Sequence, residues 1–137
     1  MGDFKIESGY QATLRLLGLP FAVTAIFAAN NLMSIGALRA LHRLGVRVPD
    51  ELSFIGFDDL ELAELLSPPL SVISRPAAEQ GVLAMRLLRN RVEEQGPATA
   101  QHIVLDTWLT IRDSCRAPQS GGNASTARTR AFLANPQ

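Results

Sequence analysis

The chain has 137 residues, 47% of them apolar, and its thirteen basic and thirteen acidic side chains cancel. That size and apolar share predict one unit with a packed core and exclude a disordered composition, while the balanced charge excludes a general electrostatic pull onto nucleic acid. A single cysteine, Cys115, excludes an internal disulfide, and the polar opening MGDFKIESGY with only short apolar runs predicts neither a leader nor a membrane span, so a cytoplasmic location is expected.

In chain order, Ser8 is placed to cap a first helix through Tyr10, Leu14 and Leu17, ended by Gly18 and Pro20. The run from Phe21 to Ala28, with Val23, Ile26 and Phe27, reads as a buried strand. Asn30 or Asn31 then caps a second helix carrying Leu32, Ile35, Leu38, Leu41 and Leu44, stopped by Gly45. Leu52 to Phe57 is a second buried strand and Leu70 to Ile73 a short third. The connection Leu60 to Pro69 holds a helical turn at most. From Ala77 to about Glu94, Val82, Met85, Leu88 and Val92 recur at helical spacing behind Pro76. Ile103 to Ile111 alternates like an edge strand, and residues 117–137 read as a disordered tail. The alternation of strands and helices predicts an α/β fold, a parallel sheet flanked by helices, within residues 1–116.

The second helix has apolar residues at 32, 33, 35, 37, 38, 40, 41 and 44, more than the single stripe a surface helix needs. The surplus around Met33, Ile35 and Leu38 suggests burial on a second side, against another subunit or lobe, unless the helix is central. Two polar clusters, Asn30-Asn31 and Asp58-Asp59, follow the first two strands. Carboxyl ends of parallel strands form the edge where small ligands sit. A carboxylate such as Asp58 accepts strong hydrogen bonds from vicinal hydroxyls or ring N–H groups, and an asparagine offers both donor and acceptor. The plainer roles are a capping turn for the aspartates and a helix cap for one asparagine. Phe4 is either ordinary packing or an aromatic face for stacking on a sugar or base.

Glu61 and Glu64 beside the aspartates match no metal-binding spacing, and no nucleophile elbow, phosphate-binding glycine loop or zinc pattern appears. No cofactor, metal or enzymatic activity is expected. His42, His102 and Cys115 carry no signature of catalysis. ALRALHRLGVRVPDEL imitates a helix-turn-helix, but Pro49 and the strand-like LSFIGF leave no recognition helix.

The elements GDFKIESGYQA, AIFAANNLMSIGALRAL, LGVRVPDELSFIGFDD, LSPPLSVISRP and the closing WLTIRDSC, in this order, resemble the carboxyl-terminal part of LacI/GalR-type transcription regulators. The resemblance covers Gly2 to Cys115 and implies a partial periplasmic-binding-protein-like fold, mostly one lobe. It implies an effector of sugar or nucleobase class contacted by Asp58, Asn30 and Phe4, and a homodimer through Ile35, Leu38, Leu65 and Leu66. DNA contact would come only through a domain absent from this chain. The family usually has Asp where this chain has Asn31. The helix-turn-helix and most of the first lobe have no counterpart here, which implies a regulator part with its switch disabled. The helix from Ala77 would then lack its own sheet, giving exposed apolar surface and low stability or oligomerisation. A solute-binding protein for transport is the alternative with the same two-lobed fold, although no export signal is seen.

Overall fold

The computed structural model describes residues 3–59, 61–97 and 99–117. Its elements are α1 (Ile6–Leu17), β1 (Ala25–Phe27), α2 (Asn31–Arg43), β2 (Ser53–Phe57), α3 (Leu62–Leu65), β3 (Ser71–Ser74), α4 (Ala77–Val92) and β4 (Trp108–Thr110). The strands form one sheet in the order β1-β2-β3-β4. β1, β2 and β3 are parallel, with Ile26 opposite Phe54 and Gly56 opposite Val72. β4 runs antiparallel to β3, with Leu109 opposite Ile73. The expected parallel sheet thus ends in one antiparallel edge strand, which returns after α4 rather than crossing over.

Several boundaries differ from expectation for local reasons. Ser8 is not the cap of α1; Lys5 is, and Ser8 stands three residues inside, where its Oγ accepts from the Lys5 N–H at 3.2 Å. β1 starts only at Ala25, because pairing with Ser53 begins there and Phe21 is exposed. Residues 103–107 form no strand, and only Trp108–Thr110 pairs with β3. The expected tail lies, from residue 118 onward, outside the described residues.

α2 ends where the sequence signals it. Gly45 takes the left-handed conformation (φ 65°), its N–H reaches the His42 carbonyl, and the Val46 N–H reaches Leu41. This is the glycine-terminated helix end that returns an apolar residue to the core, and Val46 and Leu41 are both buried there. The core joins Leu17, Ala37, Leu41 and Val46 to Phe54, Leu70 and Val72 on one sheet face.

α1 and α2 cross at glycines. A Cβ on Gly9 would lie 2.5 Å from the Met33 carbonyl oxygen, and one on Gly36 only 2.0 Å from that of Ile6. The backbones touch there because neither residue has a side chain.

Ser114, fully buried, completes the junction of β2 and β3. Its Oγ donates to the Phe54 carbonyl at 2.6 Å and accepts from the Ser71 N–H at 2.8 Å. The Cys115 thiol donates to the same Phe54 oxygen at 3.2 Å.

α4 is different. None of its residues is buried, and Val82, Met85, Leu88 and Val92 are 56–74% exposed. The apolar stripe implied for an unsupported helix is therefore on the surface. No helix among the described residues is long and apolar enough to cross a membrane.

Candidate functional site

Three parallel strands pointing one way deliver their following residues to one edge. Asp58 follows β2, and its N–H donates to the Ile73 carbonyl at 2.9 Å, extending the ladder one residue. The chain then turns: Asp58 has φ 68°, uncommon for a residue with a side chain and of the kind that clusters at ligand sites.

Its carboxylate does not face open solvent alone. Arg75, directly after β3, donates from Nε to Oδ1 and from Nη2 to Oδ2, the latter at 3.1 Å. This two-point pairing is the strongest geometry an Arg–carboxylate pair adopts. The hydrogen bond to Asp58, and then its charge, raise the Arg75 pKa above its ordinary value, so the guanidinium stays charged. Arg75 Nη1 also donates to Gln80 Oε1 at 2.6 Å, tying the first turn of α4 to the edge. The side chains of Asp58 and Arg75 are 21% and 37% exposed, so the arginine is the more open of the two.

Asn30 caps α2: its Oδ1 accepts from the Met33 N–H at 2.8 Å. Its Nδ2 donates to the Phe4 carbonyl at 3.0 Å. Asn30 thus latches the segment carrying Phe4, which has φ 59° and a ring left 59% exposed. One donor and one acceptor site of the amide remain unused by these two bonds. Asn31 points back at the sheet; with its nitrogen inward it donates to the Phe57 carbonyl at 2.8 Å and the Asp58 carbonyl at 3.3 Å. It binds the start of α2 to the end of β2, a bond that an aspartate there cannot make.

Asp59 parts company with Asp58. Arg112 donates to both Asp59 oxygens at 3.0 and 2.9 Å, to Glu64 at 3.0 Å and to the Leu70 carbonyl at 2.9 Å. Asp59, and to a lesser degree Glu64, hold the Arg112 guanidinium above its ordinary pKa against the opposing effect of desolvation. The adjacent aspartates therefore serve two separate arginines, Arg75 directly after β3 and Arg112 after β4.

Beside the edge, a groove of about 810 Å³ runs between α2 and the residue 62–68 connection. Ile35, Leu38, Leu62, Leu66 and Pro68 line it, and Asn31 and Asp58 stand among its lining. Leu65 lies outside the groove and is 79% exposed. Asn30 is thus bonded to the Phe4 segment and Asp58 to Arg75, as two separate pairs, and Asp58 also borders the groove that Ile35, Leu38 and Leu66 line. Sequence reasoning missed Arg75. The rule that found Asn30 and Asp58, a polar residue after a buried strand, applies equally to Arg75 after β3.

A mostly parallel sheet with a helix-capping asparagine after β1 and a carboxylate after β2 is an α/β binding-domain arrangement. A family model described as a periplasmic binding protein-like domain matches residues 1–115, and the chain belongs to that family. Its relatives there are LacI-type transcriptional regulators. It is 42% identical over 116 residues to the probable HTH-type transcriptional repressor ExuR of Bacillus subtilis, covering 84% of this chain and 34% of that protein. Among solved structures it matches a LacI family regulator from Enterococcus faecium with bound ribose (29% identity, TM-score 0.73, 86% of this chain and 43% of that one). It also matches the lac repressor dimer bound to operator and the anti-inducer ONPF (31% identity, TM-score 0.71, 85% and 40%). The chain spans about a third of the length of the curated relatives it matches.

Proposed function

We infer that residues 1–116 are part of the effector-binding and dimerising unit of a LacI-type transcriptional regulator, a protein of the cytoplasm and not an enzyme. The observation that carries this reading is Asp58, held by the Ile73 ladder bond and a left-handed turn at the carboxyl edge of parallel strands. Asp58 accepts from the hydroxyl or ring N–H groups of a sugar-like or nucleobase effector. Asn30 adds its unused donor and acceptor, and Phe4 offers its exposed ring. The ribose in the Enterococcus relative supports the ligand class. DNA is reached through a separate domain, as in relatives named for a helix-turn-helix.

In a titration of the ¹⁵N-labelled chain with ribose, hexoses and nucleosides, one class is expected to shift the amides of residues 30–31 and 57–59. Asp58→Ala is expected to weaken that binding at least tenfold, roughly the loss of one charge-assisted hydrogen bond. Shifts that persist unchanged in Asp58→Ala remove this residue from the site.

The same reading makes the apolar surface around Ile35, Leu38, Leu65 and Leu66 the seam of a homodimer. Its support is the surplus apolar face of α2, the exposed Leu65, and the dimeric lac repressor among the structural matches. Sedimentation of the wild-type chain is expected to show a dimer, and Leu38→Glu/Leu65→Glu a monomer with unchanged helix content. A wild-type chain that sediments as a monomer at high concentration rules this seam out.

A further inference from the structure

α4 is apolar on two opposite sides. At one turn per 3.6 residues, Leu83 and Leu87 fall on one side and are half-buried. Ala78, Gly81, Met85, Leu88 and Val92 fall on the other side and are all exposed. Their alternating steps of three and four residues form the repeat by which one helix packs along another. Single apolar residues scattered over a surface show no such order.

This stripe is graded in size. Ala77, Ala78 and Gly81 make its amino-terminal half small, and a Cβ added to Gly81 meets nothing within 4 Å. Leu88 and Val92 make its carboxyl-terminal half large. Charge is graded with it. Residues 77–84 carry Glu79 alone, whereas residues 85–92 carry Arg86, Arg89 and Arg91. Arg89 makes a loose surface pair with Glu93 at 3.9 Å, and neither Arg86 nor Arg91 has an acidic partner among the described residues. A helix that is small and acidic at one end, large and basic at the other, is complementary to a reversed copy of itself. A parallel copy would instead set arginines against arginines.

We propose that this face pairs antiparallel with α4 of a second copy of the chain, about a twofold axis at Met85. That axis sets Ala78 against the partner's Val92 and Val82 against the partner's Leu88. It also brings Glu79 near the partner's Arg89, on the same flank of the seam. Every contact then occurs twice. The surface is distinct from the seam through Ile35, Leu38, Leu65 and Leu66, and it is independent of the effector reading. A 16-residue helix is about 24 Å long and offers less than the roughly 800 Å² per partner of a stable interface. The pair is therefore weak, with a Kd on the order of 100 µM. A chain that uses both surfaces is a dimer at low concentration and a tetramer at high concentration.

The test uses the full chain carrying Leu38→Glu/Leu65→Glu, which silences the other seam. Sedimentation from about 10 µM to about 1 mM is expected to show monomer passing to dimer, and adding Leu88→Glu to hold it monomeric throughout. Glu79→Arg is expected to weaken the association about tenfold, and adding Arg89→Glu to restore it, since the exchanged charges again face one another. With Leu38 and Leu65 intact, Leu88→Glu is expected to abolish only the step from dimer to tetramer. Unchanged melting midpoints at low concentration show that the variants fold. Orientation is read by oxidation in a Cys115→Ser background. Met85→Cys, on the axis, is expected to give a cross-linked dimer, and Ala78→Cys, whose two copies stand about 20 Å apart, to give none.

A monomer at every concentration overturns the proposal. If that monomer binds phosphatidylglycerol vesicles and loses them with Leu88→Glu, the face and its arginines belong to an anionic lipid surface instead. Association that survives Leu88→Glu lies elsewhere on the chain and overturns the proposal as well. Cross-linking of Ala78→Cys as readily as of Met85→Cys overturns the antiparallel arrangement.

Discussion

Replacing Gly36 by alanine is expected to remove the cooperative unfolding transition or lower stability by about 3 kcal/mol or more, at the upper end for an overpacked core. A Cβ at this position would lie 2.0 Å from the Ile6 carbonyl oxygen and 2.7 Å from the Tyr10 nitrogen. Both are backbone atoms of α1, so no side-chain rotation relieves the clash. α1 has to move, and with it Thr13 and Leu17, which are buried beneath it. A domain of ordinary stability has about 5–15 kcal/mol in total, so a large share of the margin is at risk. Gly81, in the exposed α4, supplies the control. Nothing lies within 4 Å of its added Cβ, and Gly81→Ala is expected to be neutral or to stabilise by up to about 1 kcal/mol. Urea denaturation of the two variants compares them directly. Equal midpoints would show that the close helix crossing does not exist in solution.

Arg112→Ala is expected to cost about 1–2 kcal/mol, between an exposed and a buried ion pair. The Arg112 side chain is 13% exposed and that of Asp59 32%, and removing the arginine leaves the half-exposed carboxylate and the Leu70 carbonyl without their shared donor. Glu64, 71% exposed, contributes little, because water solvates it equally well. The loss should therefore be partly recovered by adding Asp59→Asn, which removes the stranded charge, and barely altered by adding Glu64→Gln. Arg112→Lys is expected to recover less than half, since an ammonium cannot bridge two Asp59 oxygens and a carbonyl at once. A thermal-melt cycle over these variants measures each term. A single-variant loss below about 0.5 kcal/mol would place Arg112 among ordinary surface pairs.

The two cases mark what was legible in the sequence. Local signals were read well: Gly45 ends α2, Pro76 opens α4, and Phe54 and Val72 sit in apolar runs that became the sheet core. The edge position of Asp58 followed from strand order alone. Arg112 and Asp59 are 53 positions apart, and no periodicity connects them. The split between Asp58 and Asp59 was equally hidden, because it depends on a left-handed turn at one residue. Ser8 was misplaced because a serine three residues into a helix carries the same local signature as one at its cap. Alternation over residues 103–111 overstated β4, since only three of those residues find a partner in β3. The role of Asn30 as both cap and latch needed the Phe4 carbonyl, 26 positions away.

Ser114 has a consequence for the order in which this unit is made. Its hydroxyl joins Phe54 to Ser71 across sequence separations of 60 and 43 residues, and Arg116 pairs with Asp50 beyond it. A nascent chain that has emerged as far as β3 contains every parallel strand but leaves the Phe54 carbonyl and the Ser71 N–H without their interior partners. Such long-range closure is slow relative to local helix formation, and α1 and α2 have ample time to meet first. The expected order is therefore helical pair first, with the sheet closed only once the segment through residue 116 is available.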